Sequence, residues 1–553
     1  MRVARGSLTV LLAGIMSLVG AAASQDRAPG AGPARATAGQ VAPLAPADAR
    51  LARLEADLAV EIDGLQDLTQ QMVDSLFSFA EPGFQEFETK KYCTAILGSH
   101  GFTIEDGVAG IPSGWTARWG SGKPVIALGS DVDGLLGTSQ QPGVPYQKPF
   151  IEGAPGHGEG HNTGIPLTIT AAIALKRVME RERIAGTILV WPGIAEELLG
   201  GKAQFVAAGV FKDVDICLFS HIASGMSVGW GEAGGTGAVS VEYTFTGRSA
   251  HAGGTPWLGR SALDAVELMD VGWNFRREHL RLSQRSHDVI TDGGGQPNVV
   301  PPTASVWYYF RETDYPHIRE MWATGNQVAD GAALMTDTKV SSRLLGSAWP
   351  QHMNRTVAET MYANIRKVGM PKWSEADQAF AKLVQRNMKV REQGLLTEVG
   401  KLEGPTRPED NRGGGSDDIG YVSWTVPTVT LRYPGNIPGM TGHHWSSAIA
   451  AATPVAHKGV TAGAKVEAMT ALDFLVTPDL VRQAWDYFRD VQCKEMIYHP
   501  FPGPNDKPAT WLNGKLMQQV RPEMRTFYYD PAKYKTYLEQ LGIPSPPAEA
   551  VKH

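Results

Sequence analysis

Short apolar runs alternate with segments of helical spacing along most of the chain. VIALGSD (125–131), TILVWPG (187–193), DICLFSH (215–221) and VPTVTLRYPG (426–435) are rich in branched aliphatic residues and stop at turn residues, the pattern of buried strands. Helical spacing runs through Pro166–Arg181 and Gly200–Gly209 between those strands, and through Leu51–Phe77 and Glu86–His100 ahead of them. Strands that alternate with helices pack in layers. The predicted class is therefore α/β, a mixed, largely parallel sheet flanked by helices.

The pattern changes between Ala238 and about Gly346. AVSVEYTFTG (238–247), a helix over Ser261–Glu278, ASVWYYFRET (304–313) and a helix over Pro316–Met335 form a self-contained β, α, β, α unit. Strands ending in chemically useful residues resume beyond it. A smaller α/β domain over 237–350 is therefore expected as an insertion, dividing a catalytic body into 50–236 and 351–490. Residues 491–553, which begin near the Pro-rich HPFPGPNDKP, read as a C-terminal extension.

Composition adds ample core material, with 42% hydrophobic residues in 553, so two or more domains are expected. The net charge of −6 and the lack of any Lys/Arg run argue against nucleic acid as a partner. Residues 1–23 combine arginines at 2 and 5, an apolar stretch from Leu8 to Val19 and small residues up to Ala23. This is the pattern of a cleaved secretory signal, and the apolar stretch falls short of the ~20 residues that span a bilayer. Residues 24–49, rich in Ala, Pro and Gly, follow as a flexible linker. A periplasmic or secreted protein with no membrane span after signal removal is expected. Cys93, Cys217 and Cys493 are far apart and odd in number, so they read as small buried hydrophobes and not as a disulfide framework.

The chemistry collects beyond the strand ends. VIALGS leads into Asp131 and Asp133, TILVWPGIA into Glu196 and Glu197, DICLFS into His221, and VPTVTLRYPG through a loop into His443 and His444. GHGEGHN (156–162) adds His157, Glu159 and His161. Ligands of open α/β sheets bind beyond the carboxyl ends of the strands, so these groups can converge. Imidazole and carboxylate donors suit Zn²⁺, Mn²⁺ or Co²⁺, and a pair of ions ~3.5–4 Å apart lowers the pKa of water toward ~7. One of two adjacent glutamates can then serve as base while the other serves as ligand.

In this order, FAEPGFQEFET, SDVDGL, PGHGEGHN, AEELLGGK, SAHAGGTPWLGRSALDA, QPNVVPPTA, GGGSDDIG and GMTGHHWSSA resemble the motifs of the dinuclear-metal aminoacylase and carboxypeptidase G-type peptidases, family M20. The PW, GRSALDA and HHW details resemble its p-aminobenzoyl-glutamate hydrolase branch. The resemblance implies a zinc-exopeptidase-type body with a lid and dimerisation domain, a homodimer formed through that lid, and two divalent ions, Zn²⁺ or Mn²⁺ with Co²⁺ as a further option. It implies hydrolysis of an N-acyl amino acid or dipeptide-like amide, with a dipeptidase, a carboxypeptidase or a non-catalytic binding protein on the same fold as alternatives.

Carried over by position, the resemblance makes Glu159 the bridge between the ions, His161 and His221 ligands of one, and Glu197 and His443 (over His444) ligands of the other. Glu196 becomes the general base, and Asp133 the acid that orients a ligand histidine. His251 stabilises the oxyanion in the partner subunit's site, while Asn298 and Arg311 contact substrate, a guanidinium suiting a free carboxylate. Two departures stand out. Glu159 replaces the cysteine usual in this branch, which shifts preference toward oxygen-loving ions such as Mn²⁺, and Asp131 replaces the metal-binding histidine of distant members. His157 is left to support its loop.

Overall fold

The structure is a computed structural model that describes residues 46–544, except 233, 408 and 409. The signal expected over 1–23 and most of the linker over 24–49 lie outside the described residues. Six strands make the larger sheet: β1 (Thr103–Asp106), β2 (Trp115–Ser121), β3 (Val125–Asp131), β4 (Gly186–Gly193), β5 (Ile216–Ala223) and β10 (Thr428–Pro434), in the order β1-β2-β4-β3-β5-β10. β4, β3, β5 and β10 run parallel, while β2 and β1 complete the sheet antiparallel.

The four parallel strands are the four apolar runs of the sequence. Every residue of β3 and β4 is buried, as expected of strands covered on both faces. The helices Gly164–Glu182 and Pro454–Val476 pack on one another and on these strands, and the two helices contribute Ile165, Leu167, Ile173, Val460 and Leu472 to a single continuous core. Each such side chain, fully removed from water, contributes about 1.5–3 kcal/mol. Cys93 and Cys217 are buried in that core, whereas Cys493 is half-buried.

The second sheet holds β6 (Gly237–Thr246), β7 (Arg285–Asp292), β8 (Thr303–Glu312) and β9 (Lys339–Ala348), all antiparallel in the order β7-β8-β6-β9. Helices Ala262–Arg276 and Tyr315–Thr336 pack against it around a separate core that includes Val241, Phe245, Met269, Trp273 and Phe310. The β, α, β, α reading thus lacked β7 and β9. β7 is an edge strand with a single buried residue and β9 is exposed over much of its length, so neither carries an apolar run. β1 was missed for the same reason.

The helical stretch Leu51–Phe77 is in fact two helices, Pro46–Asp63 and Gln66–Phe79, because Leu65 leaves helical geometry after Gly64. The stretch Gly200–Gly209 contracts to Lys202–Ala207. No helix among the described residues is long and apolar enough to cross a membrane.

Candidate metal centre and active site

The parallel strands end level with one another: Asp131 is the register partner of Gly193, Ser130 of Ser220, and His221 of Arg432. The turns that follow therefore meet at one edge of the sheet. After β4 the chain passes through Ala195 at φ 52 into a single 3-10 turn, Glu196–Leu198, which presents two consecutive glutamates. The GHGEGHN loop crosses the same edge and enters helix Gly164–Glu182 through the turn His161–Thr163. Gly160 (φ 111) makes that entry possible, since a Cβ there would stand 2.6 Å from Ile222 Cδ1.

Glu159 sits in the middle. Its Oε1 lies 3.4 Å from His221 Nε2, and its Oε2 lies 3.1 Å from His443 Nε2 and 4.0 Å from His161 Nε2. His161 Nε2 and His221 Nε2 are 3.4 Å apart, too close for two imidazolium ions and suited to two lone pairs facing one cation. His443 Nε2 is 3.5 Å from Glu197 Oε2. Donor atoms of Glu159, Glu197 and His443 form one group, and those of Asp131, His161 and His221 another, each within 4.8 Å. Glu197 Oε1 is buried without a hydrogen-bond partner, which a cation would answer. The donor set fits two divalent ions.

His444 turns away and caps the short helix Trp445–Ala448, accepting the Ser446 amide at Nδ1. His157 also points elsewhere. It is buried, its Nε2 is 3.0 Å from the Leu76 carbonyl, and burial depresses its pKa to about 3. Of the two histidines in GHGEGHN, only His161 faces the cluster.

A supporting layer fixes these groups. Asp133 accepts the amides of Glu196 (3.2 Å) and Glu197 (3.1 Å) on its two carboxylate oxygens. His161 Nδ1 faces the Asp133 main-chain carbonyl at 3.2 Å, with the carboxylate 3.6 Å away. The orienting acceptor for His161 is thus chiefly the backbone of Asp133, while its carboxylate holds the Glu196–Leu198 turn. Nδ1 then carries the proton and leaves Nε2 free. Glu86 does for Ala195 what Asp133 does for its neighbours, accepting that amide at 2.9 Å. Burial and the nearby Asp133 push the Glu86 pKa up to about 8.

Lys202 is fully buried, its ammonium 2.6 Å from Asp131, 2.5 Å from Asp418 and 3.3 Å from Asp417. Asp131 thus has one oxygen held by a lysine. Burial, together with Asp131 and Asp417, pushes the pKa of Glu196 well above the carboxylate range, and burial raises Glu197 to about 8. Burial alone would raise Glu159 as well, but His443, His221 and His161 hold it below that range. Each raised value reports first the cost of burying the charged form and then the neighbouring carboxylates, and a bound cation would relieve both.

A cavity of about 360 Å³ opens onto this edge, lined among others by Glu159, Glu196, Glu197, His221, His443 and, from β8, Arg311. Arg311 donates to Ser416 Oγ at 3.1 Å and lies over the Tyr309 ring. A second guanidinium, Arg432, lines the same cavity. It shares a register position with His221, so both side chains leave the sheet on one face. Among the described residues it has no ion-pair partner. His251 and Asn298 are not in the cavity. They are exposed, joined through the Ala252 amide to the Asn298 carbonyl, with His251 Nδ1 accepting the amides of Gly253 and Gly254.

Sequence reasoning missed Glu86, Lys202, Asp417, Asp418 and Arg432. Arg432 had a local signal, a charge inside an apolar strand run. The others depend on partners distant along the chain, Glu86 on Ala195 and Lys202 on Asp131, Asp417 and Asp418.

Known proteins resemble this chain over most of its length. A family model described as a peptidase dimerisation domain matches residues 234–324. A p-aminobenzoyl-glutamate hydrolase subunit of Escherichia coli is 32% identical over 81% of this chain and 96% of its own length. A mouse Xaa-Arg dipeptidase is 26% identical over 70% of this chain and 79% of its own. In fold, the chain is similar to a Staphylococcus aureus protein described as an aminohydrolase, with TM-score 0.53, 18% identity, and 76% of this chain and 100% of the other covered. The extent and level of identity to the Escherichia coli hydrolase show that the chain belongs to the M20 family of dinuclear-metal peptidases and amidohydrolases.

Proposed function

We propose that this protein hydrolyses the amide joining an acyl group to an amino acid that carries a free carboxylate, with acidic amino acids preferred. The observation that carries the reading is Glu159, whose two oxygens reach His221 on one side and His443 on the other. It would bridge two ions, one held by His161 and His221 and one by Glu197 and His443. Such ions would supply Lewis acidity and would lower the pKa of bound water toward ~7. With oxygen and nitrogen donors and no thiolate, the set suits Mn²⁺ or Zn²⁺, and accepts Co²⁺.

Glu196, raised in pKa and facing the cavity, takes the proton of the attacking water and delivers it to the departing nitrogen. Asp133 and Glu86 keep its backbone in place. Arg311 reads the free carboxylate, and Arg432, which lines the same cavity and has no ion-pair partner among the described residues, reads a second anionic group on the amino-acid side. The p-aminobenzoyl-glutamate named for the bacterial relative carries two such groups.

His251 stabilises the oxyanion from the partner subunit of a homodimer formed through the smaller domain, with Asn298 beside it in contact with substrate. Support comes from the exposed edge strand β7, where Val289 and Ile290 are 63% and 44% exposed, and from Phe275 at 75% on the helix Ala262–Arg276. Exposed apolar groups beside an open strand edge favour sheet-to-sheet pairing. The signal-like N-terminus supports a periplasmic or secreted location.

The test is a screen of N-acyl amino acids and dipeptides with metal-free protein and Zn²⁺, Mn²⁺ or Co²⁺ added separately. Metal-dependent cleavage, fastest for acyl-glutamate and acyl-aspartate, is the expected result. No cleavage of any amide by protein holding two ions per chain overturns the reading.

A further inference from the structure

The C-terminal extension closes over one short segment, and that segment leans on the catalytic turn. Residues 81–86 belong to FAEPGFQEFET. On their inner side, the Glu81 carbonyl accepts the amide of Gly134, next to Asp133, at 2.7 Å. Glu86 accepts the amide of Ala195. Gly83 is packed so closely that a Cβ on it would stand 2.9 Å from Ala195 Cα. Ala195 is held at φ 52 immediately before Glu196.

On their outer side, the same residues are held by the extension. Asn513 Nδ2 donates to the Gly83 carbonyl at 3.0 Å, Gln85 Nε2 to the Leu512 carbonyl at 3.0 Å, and Arg521 Nη2 to the Gln85 carbonyl at 2.8 Å. Arg521 also pairs with Glu81, which is 1% exposed and whose carboxylate receives the amides of Phe87, Glu88 and Thr89. A buried carboxylate stripped of its paired cation loses much of the reason to stay where it is.

We infer that Asn513 and Arg521 are positioning residues: the extension presses residues 81–86 against Ala195 and so fixes where Glu196 and Glu197 point. The extension is then a working part of the active site, although none of its described residues lines the cavity. Reactions that depend on a preset geometry lose on the order of a hundredfold for a displacement near 1 Å, so loosening the clasp should show in turnover before it shows in folding.

Two arms test this. In metal-free protein, hydrogen–deuterium exchange of the peptide covering 193–200 should rise about tenfold or more in Asn513→Asp and Arg521→Met, with the β3–β5 core unchanged. Arg525→Met, which removes an exposed pair to Glu88 contributed by the same stretch of the extension, should leave that peptide as it was. The second arm rests on the hydrolase reading. With the best substrate of the screen, kcat should fall about tenfold in the first two variants, with KM and the two ions per chain retained, and Arg521→Lys should recover part of it.

Unchanged exchange over 193–200 in both variants, or a rise shared equally by the whole body, overturns the inference. Faster exchange confined to the turn in a protein that cleaves no amide leaves the positioning role standing and removes the hydrolase reading instead.

Discussion

The ends of β3, β4 and β5 and the two loops that hold His251 (after β6) and Asn298 (before β8) both carry residues expected to act on substrate, and they are built in opposite ways. At the strand ends, Asp133, His161, Glu196 and Glu197 are buried or half-buried and every one is tied by another: amide to carboxylate, ring to carbonyl. In these loops, His251 and Asn298 are exposed, and their hydrogen bonds among the described residues run to nearby backbone. Burial with a supporting layer is what a preset charge constellation requires. An exposed histidine on a small domain with an open strand edge is what a group offered to another subunit looks like. The first region is assembled within one chain, whereas the second is proposed to act on a partner.

The largest effect expected from breaking that division is at Glu196. Glu196→Ala should lower kcat by ~10²–10⁴, while metal analysis still finds two ions per chain, because Glu196 is outside the proposed ligand set. Retained activity would remove it as the base. Next is His251→Ala, with a loss of about 10²-fold. Mixing it with Glu196→Ala and allowing subunits to exchange should restore activity, since each hybrid contains one intact pair. Two variants that stay dead when shown to form mixed dimers would place His251 outside the partner's site.

A smaller effect is expected at Arg432. Arg432→Met should raise KM for acyl-glutamate about tenfold, near the ~1.5 kcal/mol of a weak charged hydrogen bond, and leave acyl-alanine alone. An equal rise for both substrates would make Arg432 structural. The smallest change in rate belongs to Glu159→Cys, which keeps a bridging anion but softens it. The ratio of Zn²⁺- to Mn²⁺-supported activity should increase, and an unaltered ratio would mean that Glu159 does not touch the ions.

The parallel core was legible because its strands are covered on both faces and so read as unbroken apolar runs. β1, β7 and β9 were not, since edge or half-exposed strands need no such run. The ends of the core strands pointed to the candidate cluster for the same reason, as acids and histidines directly after a buried run have few places to go. Family resemblance, not spacing, ordered them into ligands and base. What escaped was whatever depends on long separations. Lys202 meets Asp131 and Asp418 only once three segments are folded together, and the Asp133 carboxylate shows its hold on the 196–197 turn only in three dimensions.

Lys202 also bears on how the protein lives without metal. Asp131, Asp417, Asp418 and Glu196 crowd into one buried region beside the ion sites, and mutual repulsion would force that region apart once the divalent ions left, were it not for a cation that cannot diffuse away. A covalently tethered ammonium acts as a permanent counterion. The body is therefore expected to keep its fold when the proposed ion sites are empty, so that chelation should leave a cooperative thermal unfolding transition in place.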